Sequence, residues 1–567
     1  VSPRSGIVPA AVSGLDNKQL PKEEDTMSDK TYREDRRKFL KTGAAAAVAG
    51  PLTLIGLSGG AAAATGPSTL RVKLDSSLKV LDPIWTTSYS TRTHGFLVYD
   101  TLFGLDESFE PKPQMVDTHT VSDDGMTYRF TLRRGLKWHD GTAVTADDCV
   151  ASVKRWGARD GMGQKLMQAT GRLEVVDDKT FELALKQPFG LVLESLAKMT
   201  SNVPFMMKKA QAMTDPNEQV TEVIGSGPFK FVKDKFRPGD RALYVKNEAY
   251  VPRDEPASNT AGGKIARVEQ VEIVWIPDSS TAANALMAGE IDYDQTPAPD
   301  LLPQLRQAQG VAVEIFDKLG NQAVLRLNHL QPPFDNEKAR QAVLWAINQE
   351  EELRAAVGND PSMFKVCYSM YPCGSPLATD AGSEALRKQD FDMGKKLLKE
   401  AGYNGEPVVV LHATDDPIIN AQMLVTEQSL RKIGMNLDVQ AMDWSTLVSR
   451  RAVKKPTSEG GWNAFQTWFN GPDFLNPVEH VAIGASCGSA WFGWPCDDEI
   501  ERLRTEYAQE SSPEKRKAIA QQIQERAFQI VTYVPLGTFY APVAFRSDRL
   551  DGLVKSPVQV FWNVAKA

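Results

Sequence analysis

The sequence predicts an α/β protein of two lobes, with the chain crossing between them twice. Three observations carry that expectation. Strand-like and helix-like segments alternate along the chain without an internal repeat. Residues 408–441 read as a complete β-α-β unit. Thr296-Pro-Ala-Pro299 makes a stiff break near mid-chain. With 567 residues, 42% of them apolar, the chain is long enough for more than one core.

Each element has a local reason. Tyr128, Phe130 and Leu132 alternate with Arg129 and Thr131, and Phe181, Leu183 and Leu185 recur at the same period, so both runs read as half-buried strands. Between them Asp140-Gly141 signals a turn. Thr145 with Asp148 makes a capping box that opens a helix to about Trp156. Val271–Ile276 is a strand stopped by Pro277. Ser280 caps a short helix over Ala282–Ala288, Gly289 ends it, and Ile291–Tyr293 begins another strand. Helices follow at about 336–357, 390–401 and 417–433, the last stopped by Gly434 and flanked by strands at 408–413 and 437–441. Helices at about 497–509 and 513–531 precede Val534-Pro-Leu536 and a strand-rich tail. Lobe I is thus expected over 65–295 with 534–567, and lobe II over 296–533, leaving a two-strand hinge.

Residues 1–64 read as an address ahead of the fold. Arg36-Arg37-Lys38-Phe39-Leu40-Lys41 is basic, an Ala/Gly/Leu run extends to Leu57, and Gly59-Gly-Ala-Ala-Ala-Ala64 supplies small residues for cleavage. The paired arginines resemble a twin-arginine signal, which implies export and a periplasmic location. Residues 1–26 read as an upstream extension, with Met27 at a start's usual distance from the arginines. In an oxidising compartment Cys367 with Cys373, and Cys487 with Cys496, are candidate local disulfides, whereas Cys149 reads as a buried thiol.

Composition narrows the chemistry. Net charge is −7 and no basic stripe occurs, which disfavours nucleic acid as a partner. Six histidines and five cysteines are scattered, so no metal centre and no cofactor is expected. Gly484-Ala-Ser486-Cys-Gly488 matches a nucleophile elbow. That arrangement needs a histidine after its serine, and His480 is the last one in the chain. A catalytic role is therefore not expected, and a secreted hydrolase stands only as a remote alternative.

A run from Asp124 through Trp138-His-Asp-Gly141 and on to Thr145-Ala-Asp-Asp148 is similar to family 5 extracellular solute-binding proteins. The likeness returns at Gly225-Ser-Gly-Pro-Phe229, Ile276-Pro-Asp278, Ala288-Gly-Glu-Ile-Asp292 and Pro332-Pro-Phe-Asp335. It continues through Ala339-Arg340, Leu397-Leu-Lys-Glu-Ala-Gly-Tyr403 and Ile433-Gly434, in the family's order. The resemblance implies a type 2 periplasmic binding protein of the large class, with a subdomain inserted at 96–200. It implies a monomeric receptor that holds a peptide or peptide-sized solute between its lobes and delivers it to an inner-membrane ABC permease. A nickel-chelate or other small-solute receptor of the same family is the alternative.

Candidate ligand contacts follow from what a clamp requires, namely apolar walls and a few placed polar groups. Trp462, Trp468, Trp491 and Trp494 sit among Gly and Pro without helical period. Trp468 matches a ligand-contacting aromatic of the family, while Trp491 and Trp494 read equally as cleft or core. Asn470 and Asp473 lie in the same run. Asp473 falls near an acidic position that pairs with a peptide amino terminus in dipeptide-type members, although Gly471-Pro-Asp-Phe-Leu-Asn-Pro477 replaces the family's Asp-rich version. On the other lobe Thr87, Ser88, Tyr89 and Arg92 follow Asp82-Pro83, with Arg92 suited to a carboxylate or phosphate. Asn202, Asn328 and Ser226 complete the set, each also readable as a turn or loop residue. The 225–227 loop is a candidate source of backbone hydrogen bonds to a peptide.

Overall fold

The computed structural model describes residues 68–510 and 512–567. The signal-like segment, its arginine pair and Met27 therefore lie outside the described residues.

Two mixed sheets form the two halves. In the first, the strand order is 311–314, 543–546, 293–294, 69–73, 270–274, 241–246 and 229–231. Thr69–Lys73 runs parallel to both Gln270–Val274 and Tyr293–Asp294. In the second sheet the order is 364–365, 534–539, 321–327, 464–470, 408–413 and 437–442. Val408–Ala413 runs parallel to both Leu437–Met442 and Ala464–Asn470, and its pair with Leu437–Met442, joined by the helix Pro417–Lys432, is the β-α-β unit read from sequence. A separate four-stranded antiparallel sheet, ordered 116–121, 127–132, 180–185 and 170–175, falls inside the 96–200 segment.

Local chemistry explains most element ends. Thr145 and Asp148 close a full capping box at the start of Ala146–Arg159. The helix before Gly289 spans Ser279–Ala288 and is capped by Asp278 rather than Ser280, because the Asp278 carboxylate accepts from the Thr281 N–H. Gly289 ends that helix at φ 74°, a left-handed conformation that favours glycine. The helix expected over 336–357 is two, Glu337–Ala346 and Gln349–Val357, since Asn348 breaks the run and caps the second.

The crossings lie elsewhere than 295 and 533. Val311–Glu314 still pairs in the first sheet, against Val543–Arg546. Val534–Phe539 belongs to the second sheet, against Asn321–Leu327. The chain therefore passes between sheets at 315–320 and 540–542. The proline-rich break at 296–299 misled because it leads into a short helix, Leu302–Gln307, whose Leu305 packs in one cluster with Leu286 of the helix Ser279–Ala288, with Ile291 and with the first sheet's Ala544.

Among the described residues no helix is long and apolar enough to cross a membrane. Both cysteine pairs, Cys367–Cys373 and Cys487–Cys496, are joined, and Cys149 is a buried free thiol.

Candidate functional site

A cavity of about 400 Å³ lies between the two sheets, and its walls come largely from segments that leave strand ends. From the first sheet come Asp75, Trp275 and Gln295–Pro299; from the second come Asp415–Ile418, Trp444, Trp468 and Asn470. Phe316 and Asp317 on one crossing, and Tyr540–Pro542 on the other, close it at the hinge side. Such a placement is where α/β sheets hold ligands, because loops beyond the strand ends are free of the ladder's own hydrogen bonds.

Beside this cavity the halves touch through a set of polar contacts. The Tyr89 hydroxyl donates to Asp473 Oδ2 at 2.7 Å and accepts from the Asn470 N–H at 3.1 Å. The Arg92 guanidinium lies 4.2 Å over the Tyr89 ring and donates from Nη2 to Asn470 Oδ1 at 3.1 Å. Its Nε and Nη1 are buried and make no hydrogen bond. The Ser201 N–H and hydroxyl reach the other oxygen of Asp473, at 3.4 and 3.3 Å. Thr200 donates to Glu479. Lys198 pairs with Asp160 at 2.7 Å and stands 4.0 Å from Glu479. Burial raises the Glu479 carboxyl to about 7, with Lys198 opposing. Burial likewise raises Asp317 to about 7, with its bonds from the Leu319 and Gly320 N–H groups and the charge of Arg92 opposing.

Trp468 ties this contact set to the second sheet. Its ring lies 5.8 Å from that of Tyr89, and its indole N–H donates to Asp416 Oδ2 at 3.2 Å. Asp416 Oδ1 caps the helix Pro417–Lys432 by accepting from the Ile418 and Ile419 N–H groups. The helix start thus fixes the carboxylate that orients the indole.

Of the residues singled out from sequence, the structure brings Tyr89, Arg92, Trp468, Asn470 and Asp473 together. Thr87 is exposed just before the helix Tyr89–Val98, and the Ser88 hydroxyl is 2.9 Å from that of Ser90. The remaining five have other employment. Asn202 donates to the Ile84 and Thr86 carbonyls, holding the loop that leads to Tyr89 from beneath. Asn328 is fully buried, donates to the Trp462 carbonyl and accepts from the Leu330 N–H, so it fixes a turn. The Gly225–Gly227 loop packs on the end of helix Tyr89–Val98, where a Cβ at Gly225 would sit 1.9 Å from the Val98 carbonyl oxygen. That contact, with Ser226 buried in it, takes the loop out of the cavity wall. Trp491 stacks among Phe465, Phe469 and Phe492, and Trp494 packs on Trp462. Trp494 belongs to a small second core and the half-buried Trp491 packs against it, because loops without helical period can fold inward as readily as toward a cleft.

Asp75, Asp317, Asp416, Trp275 and Trp444 were not foreseen from sequence. Each lies within three residues of a strand's end or stands in a crossing, so the signal available was position after a strand rather than residue type.

The match to known proteins agrees with this fold. Residues 110–488 match the model described as bacterial extracellular solute-binding proteins, family 5 Middle. The chain is 40% identical to a probable peptide ABC transporter periplasmic-binding protein of Sinorhizobium fredii, across 94% of this chain and 99% of that one. It superposes with a TM-score of 0.73 on a dipeptide binding protein from Pseudoalteromonas in complex with Met-Leu, at 22% identity over 88% of this chain and 100% of that one. An oligopeptide-binding protein from Bacillus subtilis in complex with a nonapeptide gives the same TM-score at 18% identity, over 88% and 100% of the two chains. At such identities the likeness to the solved structures is one of fold.

Proposed function

The chain belongs to the bacterial extracellular solute-binding proteins of family 5, and from that premise we propose that it is a periplasmic receptor for a peptide or peptide-sized organic solute. It holds that solute between its two lobes and presents it to an inner-membrane ABC permease, reaching its compartment by the twin-arginine route and acting as a monomer. The observation that carries this reading is the cavity between the two sheets, bridged at its side by Tyr89 with Asp473 and by Arg92 with Asn470.

The two crossings at 315–320 and 540–542 serve as the hinge. Two short connections absorb the dihedral change of closure while each sheet moves as a body. A ligand touching Trp468 on one side and Trp275 on the other makes its full set of contacts only when the lobes meet. Binding therefore shifts the population toward the closed state, which the permease reads.

Native mass spectrometry of the protein purified without refolding tests the reading. Adducts lost on denaturation, with masses spaced as amino-acid residues, support peptide capture. A single sharp mass of another kind redirects the assignment to one dedicated solute.

A further inference from the structure

The cavity is lined by more carboxyl groups than its lining cations answer. Asp75, Asp317, Asp415 and Asp416 line it, and Lys73 is the one cation among its lining residues. Lys73 is already bound to Asp294 at 2.9 Å. Arg92, whose field reaches both Asp75 and Asp317, turns instead onto Tyr89 and Asn470.

The four carboxylates are not equivalent. Asp416 is fully used as a helix cap and indole acceptor. Asp415 accepts from the Trp444 N–H. Asp75 accepts from the Ser76 hydroxyl at 3.2 Å. Asp317 accepts from the Leu319 N–H through Oδ1, whereas its Oδ2 is buried without a hydrogen-bond partner. A buried carboxylate with an empty oxygen is costly when ionised unless a donor or a cation reaches it.

The walls favour the same guest. Trp275, Phe316, Trp444, Trp468, Phe539 and Tyr540 surround the space. Aromatic faces carry negative potential and attract ammonium and guanidinium groups. No free cation lines the cavity to hold an anion: Lys73 is paired with Asp294, and Arg92, which keeps two donors unbonded, stands beside the cavity rather than in its wall.

Resting on the reading that this cavity is the solute site, we propose that the ligand places a cationic group, the ammonium or guanidinium of a basic side chain in a short peptide, between these aromatic walls and against Asp317 and Asp75. A free polyamine carries the same chemistry without a peptide backbone, and the test separates the two.

Isothermal titration of the purified protein with Ala-Lys-Ala, Ala-Gln-Ala, Ala-Glu-Ala and putrescine decides it. Ala-Lys-Ala is expected to bind about tenfold or more tightly than Ala-Gln-Ala, the worth of one hydrogen bond to a charged group. Asp317→Asn is expected to shrink that preference to about threefold or less, as the neutral amide removes the charged partner. Asp75→Asn is a second variant on the same side, should Asp317→Asn lose its cooperative thermal transition. Equal affinity for the three tripeptides, or a preference for Ala-Glu-Ala, overturns the cationic assignment and leaves peptide capture standing. Binding of putrescine with no tripeptide bound supports the cationic assignment and overturns peptide capture. Binding of none of the four overturns the assignment.

Discussion

The hydroxyl of Tyr89, on a helix beside the first sheet, bonds at 2.7 Å to the carboxylate of Asp473, in the short turn that follows a strand of the second. The two residues are 384 positions apart in sequence, and this bond spans the boundary that a solute must open. Tyr89→Phe keeps the ring under Arg92 and over Trp468 but removes that bond. Loss of one hydrogen bond to a charged group is worth about 1.5–3 kcal/mol, so ligand affinity is expected to fall about tenfold or more. Titration gives the affinity, and small-angle scattering of the unliganded variant is expected to show a larger radius of gyration.

Trp468 is a wall of the cavity and a partner of Tyr89 and Asp416 together. Trp468→Ala is expected to weaken binding of the true ligand by about tenfold or more, through loss of a large aromatic surface. Trp468→Phe keeps most of the wall and loses only the indole bond to Asp416, so its affinity should fall between the two. Equal losses in both variants would assign the effect to Asp416 and the helix start rather than to the wall.

The pH dependence of binding follows from Asp317. Its carboxyl is raised to about 7 by burial and by Asp473, and Arg92 works against them; Tyr540 is the other titratable group that feels it. A cationic ligand pairs with the ionised form alone. Below about 7 the carboxyl is protonated in the empty site and must lose a proton on binding, so affinity for a lysine peptide should rise from pH 6 to pH 8. Asp317→Asn should flatten that rise. A profile in the variant as steep as in the parent would place the titrating group elsewhere.

Glu479 makes a separable prediction about stability. Its folded value, about 7, lies above the ordinary carboxyl range because burial outweighs Lys198. The group binds a proton more tightly in the folded chain, so its contribution to stability is full below the unfolded value. That contribution is lost as pH rises through about 7 and changes no further above it. Between pH 5 and pH 8 the melting temperature of the parent should therefore fall relative to that of Glu479→Gln. Scanning calorimetry across that range reads the difference, and parallel curves would show that Glu479 is ionised throughout.

Reduction of the two disulfides tests their worth. Each closes a loop of a few residues, for which chain-entropy arguments give about 2–3 kcal/mol. A mild reductant is expected to lower the thermal midpoint, and Cys367→Ser with Cys373→Ser to reproduce part of that loss. Gln349 also fastens this segment, donating to the Cys367 carbonyl and accepting from its N–H, so the loop should remain docked without its bridge.

The parts of the fold that were legible in sequence are those decided within a few residues. Thr145 and Asp148 satisfy each other's backbone, Gly289 supplies a left-handed stop, and 408–442 carries its own period. The crossings were not legible, since whether 311–314 belongs to one sheet or the other is decided by residues 543–546, more than two hundred positions away. The site divides the same way. Tyr89, Arg92, Trp468, Asn470 and Asp473 were named because a clamp needs aromatic and polar groups and these were the concentrated ones. Trp491 and Asn328 satisfied the same criterion and fold inward, because composition does not say which face of a loop the core will claim. Asp317 carries no motif at all, and its position on a crossing gives it its neighbours.

The first sheet holds its third strand from the edge, 293–294, against 543–546, and Lys566 reaches back to the Thr69 carbonyl and to Asp292. Trp562, fully buried, packs edge-on against Phe96. The half of the molecule that begins early in the chain is thus finished with residues that follow the whole of the second sheet. While the ribosome still holds that stretch, the early strands wait with an unpaired edge, and the second sheet likewise waits for 534–539, which joins 321–327 to the edge strand 364–365. Neither sheet is complete until 534–546 have emerged, and a nascent chain stalled before residue 534 carries two incomplete sheets rather than one finished lobe.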